Sequence, residues 1–143
     1  MDLVCPAPDE LLDRWLAEDI GRGALTAAAL MGQTGFAHWI AKQPGRFCGG
    51  PLVERLFQRL DSRVGVRLLR DDGGAVEVGD RLLELEGPAP ALVAGERTAL
   101  NLAMRLSGIA TVTAELVAQL QGTGVRLADT RKTTPGLRLM EKY

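Results

Sequence analysis

Runs of apolar residues with helical and alternating spacing divide the chain into short strands and amphipathic helices. Leucine and tryptophan recur at helical spacing over residues 9–17, and a second apolar stripe follows Pro51 up to residue 60. Residues 35–41 alternate instead, with Phe36, His38 and Ile40 on one side, which predicts a strand. Further strands are predicted over residues 64–69 and on both sides of Gly79. We also expect Arg46–Cys48 to pair back on the preceding strand.

The second part of the chain begins with a long apolar helix. From Ala89 to Gln121 the apolar positions fall on several helical faces, which is typical of a helix buried between two layers. Gly95 and Gly108 predict interruptions of this helix. After it, Val125–Ala128 predicts a short strand, and residues 137–143 predict another helix.

Composition and charge narrow the class of protein. The net charge of −1 gives no reason to expect a nucleic-acid partner. Residues 1–94 hold 10 Lys/Arg against 14 Asp/Glu, whereas residues 95–143 hold 7 against 4, so the second segment either faces an anion or differs by chance. We expect no membrane span and no signal peptide. The isolated Cys5 and Cys48 favour reduced thiols and a cytoplasmic location.

The candidate chemistry lies at residues 129–134. The predicted strand runs into a loop in which Arg131 and Lys132 are adjacent and are flanked by threonines. Strand ends in α/β folds gather ligand-binding groups, and two neighbouring cations repel each other unless an anion lies between them. Arginine provides a planar fork for carboxylate or phosphate, and lysine provides a point charge. The alternative is that both are solvated loop residues.

Four blocks of sequence, in order, resemble one family. Residues 128–138 with 141–143 are similar to the DTRKTxPGLR…EKY signature of quinolinate phosphoribosyltransferases. Residues 95–101 and 106–111 are similar to that family's GERxxLN…LSGIAT helix, and residues 18–26 to its EDxGxGDxT opening. Ala24 stands where the opening usually has Asp, and we expect this change to affect stability and not chemistry.

The resemblance implies an activity and a set of ligands. The family transfers phosphoribose from phosphoribosyl pyrophosphate to quinolinate with Mg²⁺, and forms nicotinate mononucleotide, pyrophosphate and CO2 for NAD synthesis. It implies that Thr130, Arg131 and Lys132 bind substrate and that Arg97 reaches the site of the neighbouring subunit in a homodimer. No metal ligand is assigned to this chain, because the family's acidic ligands lie beyond Tyr143. We therefore expect residues 1–143 alone to be inactive.

The implied fold is α+β. We expect an N-terminal α/β sandwich over residues 1–107, with a mostly antiparallel sheet and a long helix. Residues 108–143 would begin the phosphoribosyltransferase barrel, with its first strand and the start of its first helix. Because the rest of the barrel would be missing, we expect order to end near Gly108, with a frayed or self-associating segment after it.

Three other interpretations were weighed. Residues 76–87 resemble the hairpins of biotinyl and lipoyl carrier domains, but the acceptor lysine of such a hairpin is absent between residues 64 and 87. A molybdenum-utilisation paralogue shares the family's fold and a similar loop, but the block around Arg97 favours the quinolinate enzyme. A non-enzymatic dimerisation module stays open. For His38, the only histidine, a packing or surface role is favoured over catalysis.

Overall fold

The computed structural model describes residues 7–21, 23 and 25–143, and for Leu25 the backbone alone. Predicted helices and strands up to residue 69 are confirmed to within about three residues at each end. The short helix α2 was not predicted, because five residues give no periodic pattern. In chain order the elements are α1 (Asp9–Ile20), α2 (Leu25–Ala29), β1 (Thr34–Ile40), β2 (Gly45–Arg46), α3 (Gly50–Leu60), β3 (Gly65–Leu68), β4 (Ala75–Val76), β5 (Arg81–Pro88), α4 (Ala89–Gln119) and α5 (Arg138–Glu141).

Three strands form an antiparallel sheet in the order β1-β5-β3. One face is apolar: Leu83 and Leu85 of β5 are buried against α3 and α4, where Phe57 and Ala99 lie in the same core cluster. The opposite face is exposed and carries Phe36, and the alternation predicted along β1 is observed. The antiparallel sheet and long helix expected from the sequence are therefore confirmed.

The pairing expected for Arg46–Cys48 is wrong. Gly45–Arg46 pairs with Ala75–Val76 in a separate two-stranded sheet, and not with β1. Two side chains of α4 hold the segment around β2 in place. Thr111 Oγ1 accepts a hydrogen bond from the Arg46 N–H at 2.8 Å, and Ser107 Oγ accepts one from the Cys48 N–H at 3.0 Å. These contacts span about 60 residues of sequence, so local spacing could not reveal them.

Helix α4 is continuous over 31 residues, so the interruptions predicted at Gly95 and Gly108 are wrong. A glycine costs a helix only about 1 kcal/mol, which tertiary packing readily offsets. Gly95 instead permits the close approach of α3. A Cβ atom at this position would lie 2.7 Å from both Phe57 Cε1 and Leu60 Cδ1. At Gly108 a Cβ atom would meet no atom within 4 Å.

The strand predicted over Val125–Ala128 is also wrong. In the described part of the chain this stretch is exposed and has no strand beside it, and an extended segment needs a partner to satisfy its backbone groups as a strand. The apolar side chains Val125 and Leu127 are exposed. The final predicted helix exists but is shorter, covering Arg138–Glu141.

Met140 anchors the last helix in the core. Its side chain is 3% exposed and lies in a second cluster with Leu12, Leu52 and Leu106, between α1, α3 and α4. Helix α4 runs past Gly108 and Met140 is buried, whereas the expected fraying or self-association after Gly108 stays a prediction. The burial between two layers that the apolar pattern of α4 indicated is incomplete, since Met104, Val112, Leu116 and Val117 are exposed.

Candidate anion-binding site

Thr130, Arg131 and Lys132 lie together on the exposed segment between α4 and α5. The Lys132 N–H donates a hydrogen bond to Thr130 Oγ1 at 3.2 Å, which fixes a tight local turn between them. Within the described residues, the side chains of Arg131 and Lys132 take part in no ion pair and no hydrogen bond. The structure therefore brings three of the four predicted site residues together and leaves both cations available to a ligand.

The neighbouring carboxylates are already occupied. After Glu115 the sequence holds only two acidic residues, Asp129 and Glu141. Asp129 Oδ2 accepts a charge-assisted contact from Lys142 Nζ at 2.6 Å, and Glu141 Oε1 accepts one from Arg105 Nε at 3.0 Å. Neither carboxylate neutralises the loop cations, so this surface keeps a positive charge that attracts an anion.

Glu141 holds the end of the loop. Its Oε2 accepts a hydrogen bond from the Thr134 N–H at 3.0 Å, and the Arg105 guanidinium contacts both its carboxylate and the Thr134 hydroxyl. The Glu141 side chain is only 10% exposed. Hydrogen bonds from Arg105, and then from Thr134, lower the pKa of Glu141 to about 2, so the carboxylate is charged at neutral pH.

Sequence reasoning missed Arg105 as part of this arrangement. The residue lies on α4 between the two blocks of that helix that resemble the family signature, but its contacts are 29 and 36 residues away along the chain. The last block of the signature contains a sequence signal for this arrangement. Glu141 and Lys142 stand next to each other in this block, and each binds one end of the 129–134 segment.

Arg97, the fourth predicted site residue, lies elsewhere. Its Nη1 donates to Asp19 Oδ1 at 3.0 Å, at the end of α1, and its side chain is 76% exposed. Eight residues separate it from Arg105, which is about 12 Å along the helix axis. Asp19 belongs to the block that opens the sequence signature, so two separate blocks meet in this ion pair. The proposed role of Arg97 in a neighbouring site stays a prediction.

Residues outside the candidate site support the fold. Asp72 Oδ1 accepts hydrogen bonds from the N–H groups of Gly49 and Gly50, both at 2.9 Å, and so caps α3. His38 is exposed on the outer face of the sheet, opposite Glu84 in the strand register, which fits the surface role expected of it. Two expectations concern residues outside the described part of the chain: the stability effect of Ala24 and the reduced thiol of Cys5.

The described residues offer no ready metal site. In residues 7–21, 23 and 25–143, no group of three or more His, Cys, Asp or Glu side chains is placed to hold an ion. The acids nearest the loop are bound by Lys142 and Arg105. In the same part of the chain, no helix has the length and apolar character needed to span a membrane.

The chain resembles known proteins in sequence and in structure. The chain is 46% identical over 135 residues to a probable carboxylating nicotinate-nucleotide pyrophosphorylase of Bacillus subtilis, covering 94% of this chain and 47% of that protein. A probable enzyme of the same name from Synechocystis is 45% identical over 136 residues, covering 94% and 46%. The structure of NadC from Streptococcus pyogenes superposes with a TM-score of 0.90 at 35% identity, covering 94% of this chain and 49% of that one.

Two family models match along the chain. The N-terminal domain of quinolinate phosphoribosyl transferase matches residues 24–107, and the C-terminal domain of the same family matches residues 109–143. The chain spans about half the length of the relatives it matches. Since the N-terminal model alone covers more than half of these 143 residues, the chain belongs to the quinolinate phosphoribosyl transferase family.

Proposed function

We propose that this chain contributes to the transfer of phosphoribose from phosphoribosyl pyrophosphate to quinolinate, with release of pyrophosphate and CO2. The product, nicotinate mononucleotide, is a precursor of NAD. Its relatives' names and its family support this activity. The observation that carries the proposal is the exposed pair Arg131 and Lys132, whose side chains have no ion-pair partner among the described residues.

The chemistry of the substrate explains why two such cations are needed. Quinolinate carries two carboxylates on adjacent ring carbons, and charge-assisted hydrogen bonds from Arg131 and Lys132 would bind and orient them. The ring nitrogen then attacks the anomeric carbon as the bond to pyrophosphate breaks. The nitrogen becomes cationic, and it stabilises the electron pair left on the neighbouring carbon when CO2 departs. That carbon takes up a proton.

The other predicted ligands have different roles in this proposal. Thr130 is the weaker candidate, because its hydroxyl already accepts the Lys132 N–H. Arg97 would serve the site of a second subunit in a homodimer, and the exposure of its side chain leaves room for a partner. Asp19 would hold the guanidinium in position until the partner's substrate is bound.

Magnesium, which the family resemblance implies, has no ligand set in the described residues. It enters no step of this proposal. The loop presents cations, and a site of this kind suits the substrate's anionic groups and not a metal ion.

Two other functions are weighed against this one. A dimerisation module without enzymatic activity would also fit the exposed apolar stripe of α4. A dimerisation module would not explain why two cations without ion-pair partners lie on a loop whose two ends are held in place. The molybdenum-utilisation paralogue is less favoured, because the relatives described above are named as nicotinate-nucleotide pyrophosphorylases.

A chimeric protein tests the proposal. Residues 1–143 would replace the matched segment of the Bacillus subtilis relative, and the product would be followed with quinolinate, phosphoribosyl pyrophosphate and Mg²⁺. We expect turnover, and we expect Arg131→Ala to lower kcat/KM by about 10- to 150-fold, the loss of one charge-assisted interaction. Arg14→Ala, an exposed arginine of α1, is the control and should have no effect.

Two results would contradict the proposal. One is a folded chimera that forms no nicotinate mononucleotide. The other is an active chimera in which Arg131→Ala and Arg14→Ala give the same kinetics, which would place the anion site away from the loop.

A further inference from the structure

Arg105 and Glu141 form a clamp on the loop that carries the site cations. We infer that both are positioning residues: they do not touch substrate themselves, but they fix the geometry with which Arg131 and Lys132 are presented to it. The inference rests on the function proposed above and adds residues to which no substrate role was assigned from the sequence.

The first argument is the continuity of contacts from the core to the loop. Met140 is buried between α1, α3 and α4, and it fixes the neighbouring residues of α5. Glu141 then accepts the Thr134 N–H, and Lys142 binds Asp129. The two ends of the 129–134 segment are thus held by Glu141, the last residue of α5, and by Lys142, which follows it.

The second argument is that Glu141 depends on Arg105. A carboxylate that is 10% exposed is unfavourable unless it is paired and hydrogen-bonded. The Arg105 guanidinium provides the pairing, and it contacts the Thr134 hydroxyl as well. Without Arg105, the side chain of Glu141 would be drawn toward water and would release the Thr134 N–H.

The third argument is the cost of presenting two like charges together. Adjacent cations repel, so a loop held only by its local turn would spread Arg131 and Lys132 apart. A ligand with two fixed carboxylates binds best to donors that already have matching positions, because less conformational entropy is lost on binding. The clamp provides that preorganisation.

Hydrogen exchange and ligand titration on residues 1–143 test the inference together. Arg105→Gln is compared with a control variant, Arg59→Gln. Arg59 of α3 forms a similar ion pair with Asp13 of α1, and both residues are remote in sequence from the loop. We expect exchange of the amides of residues 130–134 to rise at least about fivefold in the first variant and not in the second. Quinolinate affinity should fall by a similar factor, and Arg105→Lys should restore part of it.

The outcomes separate this inference from the proposed function. The clamp is refuted if Arg105→Gln leaves hydrogen exchange in the loop unchanged. It is also refuted if Arg105→Gln raises exchange without changing the affinity for quinolinate, although Arg131→Ala abolishes quinolinate binding. Failure of the wild-type chain to bind quinolinate at tens of millimolar would instead reject the proposed function, and the inference with it. Equal losses of affinity in the Arg105 and Arg59 variants would show a general effect on stability and would also refute the clamp.

Discussion

Glu141 and Arg105 are 36 residues apart in the chain, yet Arg105 Nε lies 3.0 Å from the Glu141 carboxylate. This pair connects the long helix to the last helix of the described chain. Glu141 belongs to the last block of the family signature, whereas Arg105 lies between the two blocks of α4. The chemistry of this pair gives a prediction about pH.

Acid should remove the stabilising effect of Glu141. The pKa of Glu141 is lowered in the folded state to about 2, from an ordinary value of 4.5, chiefly by the hydrogen bond from Arg105. Because the pKa is lowered on folding, the charged carboxylate of Glu141 adds to the free energy of unfolding. This addition is complete above about pH 5 and is lost as the pH falls from about 4.5 to about 2. Glu141→Gln should therefore be less stable than wild type at pH 7, with a difference that shrinks below pH 4.5.

Urea unfolding at pH values between 3 and 7 measures this difference. Glu115→Gln is the control, since Glu115 is an exposed glutamate of α4. A Glu141→Gln difference that does not change with pH would show that the carboxylate is not bound as described.

Two glycines of α4 should respond in opposite ways to the same substitution. Gly95→Ala would place a methyl group 2.7 Å from Phe57 and Leu60, and overpacking of this kind costs about 1–3 kcal/mol. Gly108→Ala meets no atom within 4 Å and should stabilise the helix by about 0.5–1 kcal/mol. Urea denaturation of both variants measures the two free energies of unfolding. Shifts of the same sign would contradict the packing of α3 on α4.

The cap of α3 should depend on a single carboxylate. Asp72→Ala removes the acceptor of the Gly49 and Gly50 N–H groups, and the loss of such a cap costs about 0.5–2 kcal/mol. Asp72→Asn keeps an acceptor oxygen and should recover most of that stability. Asp71→Ala is the neighbouring control, because Asp71 is exposed. Equal unfolding free energies for the Asp71 and Asp72 alanine variants would argue against the cap.

A polypeptide of residues 1–143 should have no transferase activity of its own. In the proposal above Arg131 and Lys132 bind the substrate, but the described residues hold no group placed to bind a metal ion, and catalysis requires the whole set of groups to be held together. With quinolinate, phosphoribosyl pyrophosphate and Mg²⁺, chromatography should detect no nicotinate mononucleotide. Turnover by this polypeptide would contradict the expectation, provided that the Arg131→Ala variant, prepared in the same way, shows none.

The sequence predicted what depends on local spacing. The alternation around Phe36 and the apolar stripe after Pro51 each correspond to an observed element, because side-chain periodicity follows directly from strand and helix geometry. Arg131 and Lys132 lie on an exposed segment, but this segment does not follow a strand as predicted. Gly95 was misjudged because its role is set by α3, nearly 40 residues earlier, and not by the helix in which it lies.

Contacts between distant segments could not be predicted in this way. Thr111 reaches Arg46 and Arg105 reaches Glu141, and in both cases one side chain of α4 binds a backbone or carboxylate group that only the fold brings near. The strand expected at Val125–Ala128 failed for a related reason. Its residue types favour a strand, but a strand also needs a partner, which the described residues do not provide.

The central claim is that the 129–134 segment binds the carboxylates of quinolinate, and an NMR titration of residues 1–143 tests it most directly. With quinolinate at millimolar concentrations, we predict shifts concentrated in the amides of residues 130–134, with a Kd of about a millimolar or weaker. Arg131→Ala should weaken binding by about tenfold or more, as expected for one charge-assisted interaction, whereas Arg14→Ala should not. Micromolar binding that Arg131→Ala leaves unchanged, or shifts located away from this loop, would contradict the account.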